Sequence, residues 1–356
     1  MDQNSDLQQS VADEIQSLRS RLDGKDLPED LSSKIEQMLR RLERMIQFSS
    51  YTEEFERTSH YIDWVVSMPW NMMSSDQLDI VKAREVFEQH HYGMAEVKER
   101  FLEYIAVLAL NAKKDLSNQV MHAPVLLLYG LVGTGKTTFA SSLAEALGRA
   151  LVRIPFGGLS SARDLRGQSR LHLEAEPGQI MKAVRKSGVS NPVILLDEID
   201  RVADETRGEI MGVLVELLDP EQNAAFRDNY LDHPFDLSKA IFLATCNNTE
   251  KIATAVLDRL EIITMPSYSD EEKIQIGKRY LLPKALKEAG LEPQHLEIQE
   301  ELWNQVVRPL GYDAGIRTLQ RTIKGMVRKA AKEMLESHAE KIVVDSTNAK
   351  HYLPAY

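Results

Sequence analysis

One cysteine in 356 residues, Cys246, leaves this chain no disulfide framework and no Cys-based zinc cluster. Long apolar runs are missing as well. None nears the ~18 residues that a membrane helix needs, and the polar start MDQNSDLQQS does not read as a signal peptide. Basic residues are in the minority: 43 Lys and Arg against 54 Asp and Glu give a formal charge of −11. That balance argues against duplex DNA as the main partner, because DNA binding draws on a basic footprint. There is no internal repeat and no low-complexity tract. What is present suits a globular protein of the cytoplasm: 43% hydrophobic and 27% charged residues are enough for a real core. At ~150 residues per domain, the length suggests two or three domains.

Apolar residues then set the organisation. Val11, Ile15, Leu18 and Leu22 recur every three or four positions. So do Leu31, Ile35, Met38, Leu42 and Met45, and again Tyr51, Phe55, Thr58, Ile62 and Val65. Each stripe buries one face, so residues 1–66 read as three amphipathic helices forming a small bundle or arm. Met68-Pro69-Trp70 ends the third, since proline disfavours helix at the residue before it. Helical patterns over 79–90 and 94–108 follow, separated at His91-Tyr92-Gly93. From residue 124 short apolar runs alternate with helical stretches: 125–129, 150–154, 193–196, 241–245 and 262–265. Continuous apolar strands between helices predict a parallel sheet covered on both faces. Beyond about residue 270 the reading is helical, over 270–282, 299–308 and 313–337, with Asp270 as the first cap and Ile342-Val343-Val344 as one strand. The expected class is α/β: a parallel-sheet domain over 67–268, preceded by the helical arm and followed by a small helical domain over 269–356.

The first predicted strand runs straight into Gly130-Leu131-Val132-Gly133-Thr134-Gly135-Lys136-Thr137, a match to G-x-x-x-x-G-K-[ST] lying ahead of a predicted helix. Each residue type has a task. Glycines let the loop turn tightly, so its N–H groups point inward at phosphate oxygens; Lys136 brings charge to the β- and γ-phosphates; the Thr137 hydroxyl completes a Mg²⁺ shell. The helix that follows adds its positive N-terminal end. Chance gives such a string in roughly one chain of this length in a hundred, before its strand–loop–helix context is counted.

Val193-Ile194-Leu195-Leu196-Asp197-Glu198 is the natural partner, four apolar residues ending in two carboxylates. A strand apolar until its last residues carries those acids to the sheet's carboxyl edge, where open α/β sheets bind ligands. There Asp197 would hold Mg²⁺, directly or through water, and Glu198 would activate the attacking water. Asn247 follows the 241–245 strand, placed to orient water or the γ-phosphate, although a turn-forming Asn is the plainer alternative. Arg259 is either a solvated surface charge or a group reaching phosphate as an arginine finger does. Arg317, in the C-terminal helical region, could report nucleotide state to it. Cys246 reads as a small buried apolar residue.

These residues resemble the ATPase module of the Lon protease family, within the AAA+ superfamily. Tyr61-Ile62-Asp63-Trp64 with Pro69-Trp70 is similar to the segment ahead of that ATPase. His91-Tyr92-Gly93 with Val97-Lys98-Glu99-Arg100 is similar to its adenine-side stretch, which makes Tyr92 a nucleotide-side residue. Leu195-Leu196-Asp197-Glu198-Ile199-Asp200, Leu218-Asp219-Pro220-Glu221-Gln222-Asn223 and Leu257-Asp258-Arg259 are close to family wording. The resemblance implies a homohexameric ring with ATP at subunit junctions and unfolded polypeptide in the central pore. Asn247 would be sensor 1, Arg317 sensor 2, and Arg259 the finger acting on a neighbour's ATP. Departures accompany it. Leu131-Val132 stands where the family has Pro-Pro, and His172-Leu173-Glu174 replaces the aromatic–aliphatic–glycine step of the gripping loop. Losing the ring weakens nonspecific grip, and Glu174 and Glu176 would repel acidic segments. The family's serine–lysine protease domain and large N-terminal domain have no counterpart in these residues, so peptidase activity is not expected from them. Protein remodelling driven by ATP is the leading expectation. The alternatives are a nucleotide-bound scaffold or regulatory subunit, or an ATPase fragment of an ATP-dependent serine protease.

Overall fold

The computed structural model describes residues 3–47, 53–113, 124–172, 174–309 and 313–354. Tyr51, Leu173 and the Val11 side chain, each part of the sequence reading, lie outside the described residues. Three helices open the chain: α1 (Gln3–Leu22), α2 (Glu29–Gln47) and α3 (Glu53–Ser67). Ile15, Leu18, Leu31, Ile35, Leu42, Phe55, Ile62 and Val65 are all buried, so the stripes face inward as their spacing demands. They share one apolar core with residues of the α/β layer such as Ile180, Phe226 and Phe235. Asp79 caps α4 (Ile80–His90) by accepting from the N–H groups of Val81 and Lys82. Helix α5 (Ala95–Lys113) follows the break at His91.

The sheet comprises β1 (Val125–Tyr129), β2 (Leu151–Pro155), β3 (Val193–Asp197), β6 (Ile241–Cys246) and β7 (Leu260–Thr264), all parallel, in the order β2-β3-β6-β1-β7. Helices α6 (Lys136–Leu147), α7 (Ala162–Arg166), α8 (Gln179–Ser187), α9 (Arg207–Leu217), α10 (Pro220–Asn223) and α11 (Thr254–Leu257) fill the connections, with a small antiparallel pair, β4 (Phe226–Arg227) and β5 (Pro234–Phe235). Strand β3 is buried at every position, as a central parallel strand must be. Strand β7 begins two residues earlier than expected; as an edge strand it exposes Glu261 and Ile262, so the apolar-run signal misses its start.

Past the sheet come α12 (Asp270–Ile276), α13 (Leu282–Glu288), β8 (Leu296–Ile298), α14 (Trp303–Val307), α15 (Arg317–Ser337), β9 (Ile342–Val344) and α16 (Ala349–Tyr352). Ser269, not Asp270, is the cap: its hydroxyl accepts from Glu272 N–H while the Glu272 carboxylate accepts from Ser269 N–H, a reciprocal capping box. The helical path does not stop near 282 either. One wide turn over Gly277–Leu281 carries it into α13. The expected strand at 342–344 exists and pairs in parallel with β8, a three-residue strand too short to show a period in the sequence. Trp303, Ile323, Met326 and Val344 fill the separate core of this unit.

Candidate functional site

Strand order builds the site. Strand β6 lies between β3 and β1, so the carboxyl ends of all three open side by side: Gly130 after β1, Asp197 closing β3, Asn247 after β6. The 130–135 turn then leads straight into α6. Gly133 and Gly135 hold φ of +86° and +94°, left-handed values that favour glycine. Thr134 is fully buried, and its hydroxyl braces the turn by donating to the Leu131 carbonyl at 2.9 Å. Leu131 and Val132 face solvent.

Lys136, the first residue of α6, points back over this turn. Its ammonium donates to the carbonyls of Gly130 and Leu131 and, at 2.9 Å, to Asn247 Oδ1. Burial lowers its pKa below the ordinary lysine value, while nearby Cys246, Asp200, Glu198 and Asp197 work the other way. Thr137 stands exposed in the same first turn.

Asp197 is buried, with both carboxylate oxygens engaged: Thr245 Oγ1 donates to one at 2.6 Å and Arg153 Nε to the other at 2.6 Å. The same Thr245 hydroxyl accepts from Glu198 N–H at 2.8 Å. Glu198 takes a left-handed φ of +57° and pairs with Arg201 at 3.0 Å. A non-glycine residue held there costs about 1–2 kcal/mol, so the surroundings, the Thr245 hydroxyl among them, must hold this backbone in place. Asp200 accepts from the N–H groups of both Asn247 and Asn248, and its other oxygen is buried without a hydrogen-bond partner among the described residues.

The C-terminal unit closes on the turn. Ile316 N–H donates to the Gly133 carbonyl at 3.1 Å, and from the sheet domain's last residue Tyr268 Oη donates to the Thr134 carbonyl at 3.3 Å. Arg317 follows directly as the exposed first residue of α15, its Cγ 3.3 Å from where a Cβ on Gly133 would stand. Tyr92 is half-buried, with the Arg279 guanidinium 5.3 Å from its ring centre. Arg259 is directed elsewhere: it pairs with Asp219 at 3.5 Å and donates to the Ala255 carbonyl at 2.8 Å. In the loop after α7, Leu171 and His172 are exposed, and Glu174 holds a glycine-like φ of +60°.

Lys136, Asn247, Asp197 and Glu198 thus form one polar group, with Thr137 and Arg317 beside the turn and Arg259 apart. Thr245, Arg153, Asp200 and Tyr268 belong with them and were not singled out from sequence. The available signal was a hydroxyl and a guanidinium inside apolar runs, where buried polar groups need partners. An orphaned buried acceptor close to an ammonium paired with neutral oxygens fits a magnesium-bound polyphosphate. Among the described residues no cluster of three or more His, Cys, Asp or Glu could hold a metal by itself. A magnesium ion here would rest on Asp197, Thr137 and oxygens brought by the phosphates, as that ion commonly does.

Sequence comparison agrees with this geometry. Residues 126–268 match the family described as "ATPase family associated with various cellular activities (AAA)", so the class is a P-loop AAA+ ATPase module. Residues 287–343 match "Lon protease AAA+ ATPase lid domain". The chain thus carries an AAA ATPase module followed by a lid of the Lon type. It is 39% identical over 345 residues to Lon protease 2 of Thermus thermophilus, covering 96% of this chain and 42% of that protein. With the Lon protease of Dictyoglomus thermophilum it shares 42% over 341 residues, 96% of this chain and 42% of the relative. With that of Acinetobacter baumannii the identity is 38% over 352 residues, 99% and 42% respectively. The chain therefore spans less than half the length of these curated relatives. No helix among the described residues is long and apolar enough to cross a membrane.

Proposed function

We propose that this chain binds ATP with magnesium, hydrolyses it, and uses the cycle to remodel unfolded polypeptide within a homohexameric ring. The observation that carries the reading is the single hydrogen-bonded group joining Lys136, Asn247, Asp200 and the 130–135 turn beside Asp197 and Glu198. Turn N–H groups and Lys136 take the phosphates, with Lys136 exchanging its carbonyl partners for phosphate oxygens. Magnesium, when bound, neutralises charge on the β- and γ-phosphate oxygens. Glu198, held by Thr245 and its own strained backbone, orients and deprotonates the attacking water, and Asn247 positions that water against the γ-phosphate. Tyr92 lines the base side, Arg317 couples the lid to the phosphates, and Arg259 completes the site of an adjacent subunit. Residues 1–66, 67–268 and 269–356 serve as arm, motor and lid. The cycle involves no peptide cleavage by these residues and neither nucleic acid nor membrane as a partner.

Turnover tests this reading. Lys136→Ala should bind nucleotide at least tenfold more weakly. Glu198→Gln should bind normally yet turn over about a hundredfold more slowly, in the range that general-base loss produces. Unchanged turnover in Glu198→Gln would remove that residue from the chemistry. A second reading, a nucleotide-bound scaffold, is favoured by the carboxylate-bearing loop at His172 and Glu174. In that case wild-type turnover would match Lys136→Ala and ignore added unfolded protein.

A further inference from the structure

The register of the sheet places an arginine against the carboxylate that a magnesium ion would use. Arg153 on β2 lies opposite Leu195 of β3, so its side chain shares a face with Asp197, two residues on, as a diagonal neighbour. Its Nε and Nη2 both reach the same Asp197 oxygen, at 2.6 and 2.5 Å. The other oxygen is filled by the Thr245 hydroxyl, which has a single hydrogen and spends it there. Exposure is lopsided: the Asp197 side chain is 5% accessible and that of Arg153 is 55% accessible. A buried carboxylate is thus neutralised by a guanidinium that comes in from solvent on a long stem and can leave the same way.

We propose that Arg153 is a resident counter-ion of Asp197 that magnesium must displace, so that it sets the metal concentration at which the nucleotide site becomes complete. This rests on the magnesium–nucleotide reading above and adds regulation to it. The physical basis is competition for one oxygen. A cation that approaches Asp197, even through a bridging water, meets an acceptor already carrying two charge-assisted hydrogen bonds. It must break them before it gains its own. Without metal, the same pair spares the fold an unpaired buried charge. Thr245 does not move in this exchange, and its hydroxyl keeps the Glu198 backbone N–H in place. Arg153 touches the metal ligand and not the reacting atoms, which makes it a positioning residue.

The test is a magnesium titration of the full chain with a fluorescent ATP analogue held below saturation, read by binding and not by turnover. Arg153→Gln should lower the half-saturating magnesium concentration about three- to tenfold, the worth of one charged hydrogen-bonded pair, with magnesium-free binding unchanged. Arg153→Lys, a single point charge, should fall between. A second measurement guards against a folding defect. Arg153→Gln should melt below wild type without magnesium, and magnesium with nucleotide should close that gap. A magnesium requirement equal to or above that of wild type in both variants overturns the counter-ion role. If wild type itself binds no nucleotide with magnesium present, the reading of the site fails instead.

Discussion

At His91 an imidazole is stacked on Phe139, ring centres 3.6 Å apart, with Nε2 2.9 Å from Ser142 Oγ. Both partners sit on α6, whose first residue is Lys136, so the ring ties the segment beside Tyr92 to the helix that follows the phosphate loop. Burial, with Lys98 and His90 adding like charge, pushes its pKa from 6.5 down to about 3. In the unfolded chain the same imidazole takes its proton near 6.5. Between those values the unfolded state binds more protons, so stability is complete above 6.5 and is lost as pH falls toward 3, at up to about 1.4 kcal/mol per pH unit. His91→Phe keeps the stack and carries no titrating group, but leaves the Ser142 hydroxyl unpaired. It should be less stable than wild type by about 1–2 kcal/mol at pH 7. Denaturant unfolding at pH 7, 6 and 5 should show that gap narrowing, and a gap independent of pH would mean that His91 is not held neutral by its site. Residues of this scale differ in how far sequence reveals them. The grouping of Gly133, Gly135, Lys136, Asp197 and Glu198 is legible because the loop motif and the acidic strand end fix those types at those spacings. Arg153 and Thr245 were not, because each acquires its role from the strand lying beside it, and lateral register is invisible along the chain.

Among the elements, α15 bears most directly on the site, because its N-terminus rests on the phosphate loop. A Cβ on Gly315 would lie 2.3 Å from the Val132 carbonyl oxygen and 2.7 Å from Gly133 Cα, so no side chain fits unless the lid backs away. Gly315→Ala should therefore weaken ATP binding about tenfold, the effect of losing roughly 1.4 kcal/mol at the site. Its melting point should barely change, since the lid's own core at Trp303, Ile323 and Val344 is left intact. Gly325, on the same helix, has open space where its Cβ would stand. Gly325→Ala is the control, with unaltered nucleotide affinity and a gain of up to about 1 kcal/mol from helix propensity. Equal affinities in the two variants would detach the lid from nucleotide binding. Longer elements are readable in the sequence: α1 to α5, the five strands of the central sheet and α15 lie where its pattern puts them, to within a few residues. Short ones were not. Leu296–Ile298 has too few residues to show a period, and only its pairing with β9 makes it a strand.

In the whole molecule, Arg259 is the charge that a single subunit leaves away from its own phosphate loop. It leans on Asp219, which at the same time caps α10 through the N–H groups of Glu221 and Gln222, so the guanidinium is held close to the surface at a fixed place. The edge strand β7 starts immediately after it and exposes Ile262. On the proposed ring reading, an arginine presented this way would serve the site of another subunit, and sequence gives its type but not its address. Mixing decides the matter. Arg259→Ala and Glu198→Gln subunits should each be nearly inactive alone. In a random one-to-one ring, a junction regains both groups when an Arg259→Ala subunit, whose Glu198 is intact, meets a Glu198→Gln neighbour, whose Arg259 is intact. That happens at about one junction in four for a closed ring with one kind of contact, so turnover should rise to about a quarter of wild type. It should rise only above the protein concentration at which rings assemble, because dilution separates the complementary groups. A mixture no more active than the sum of its parts, under conditions where sedimentation shows mixed rings, would place Arg259 outside the neighbour's site and leave its pairing with Asp219 as its whole role.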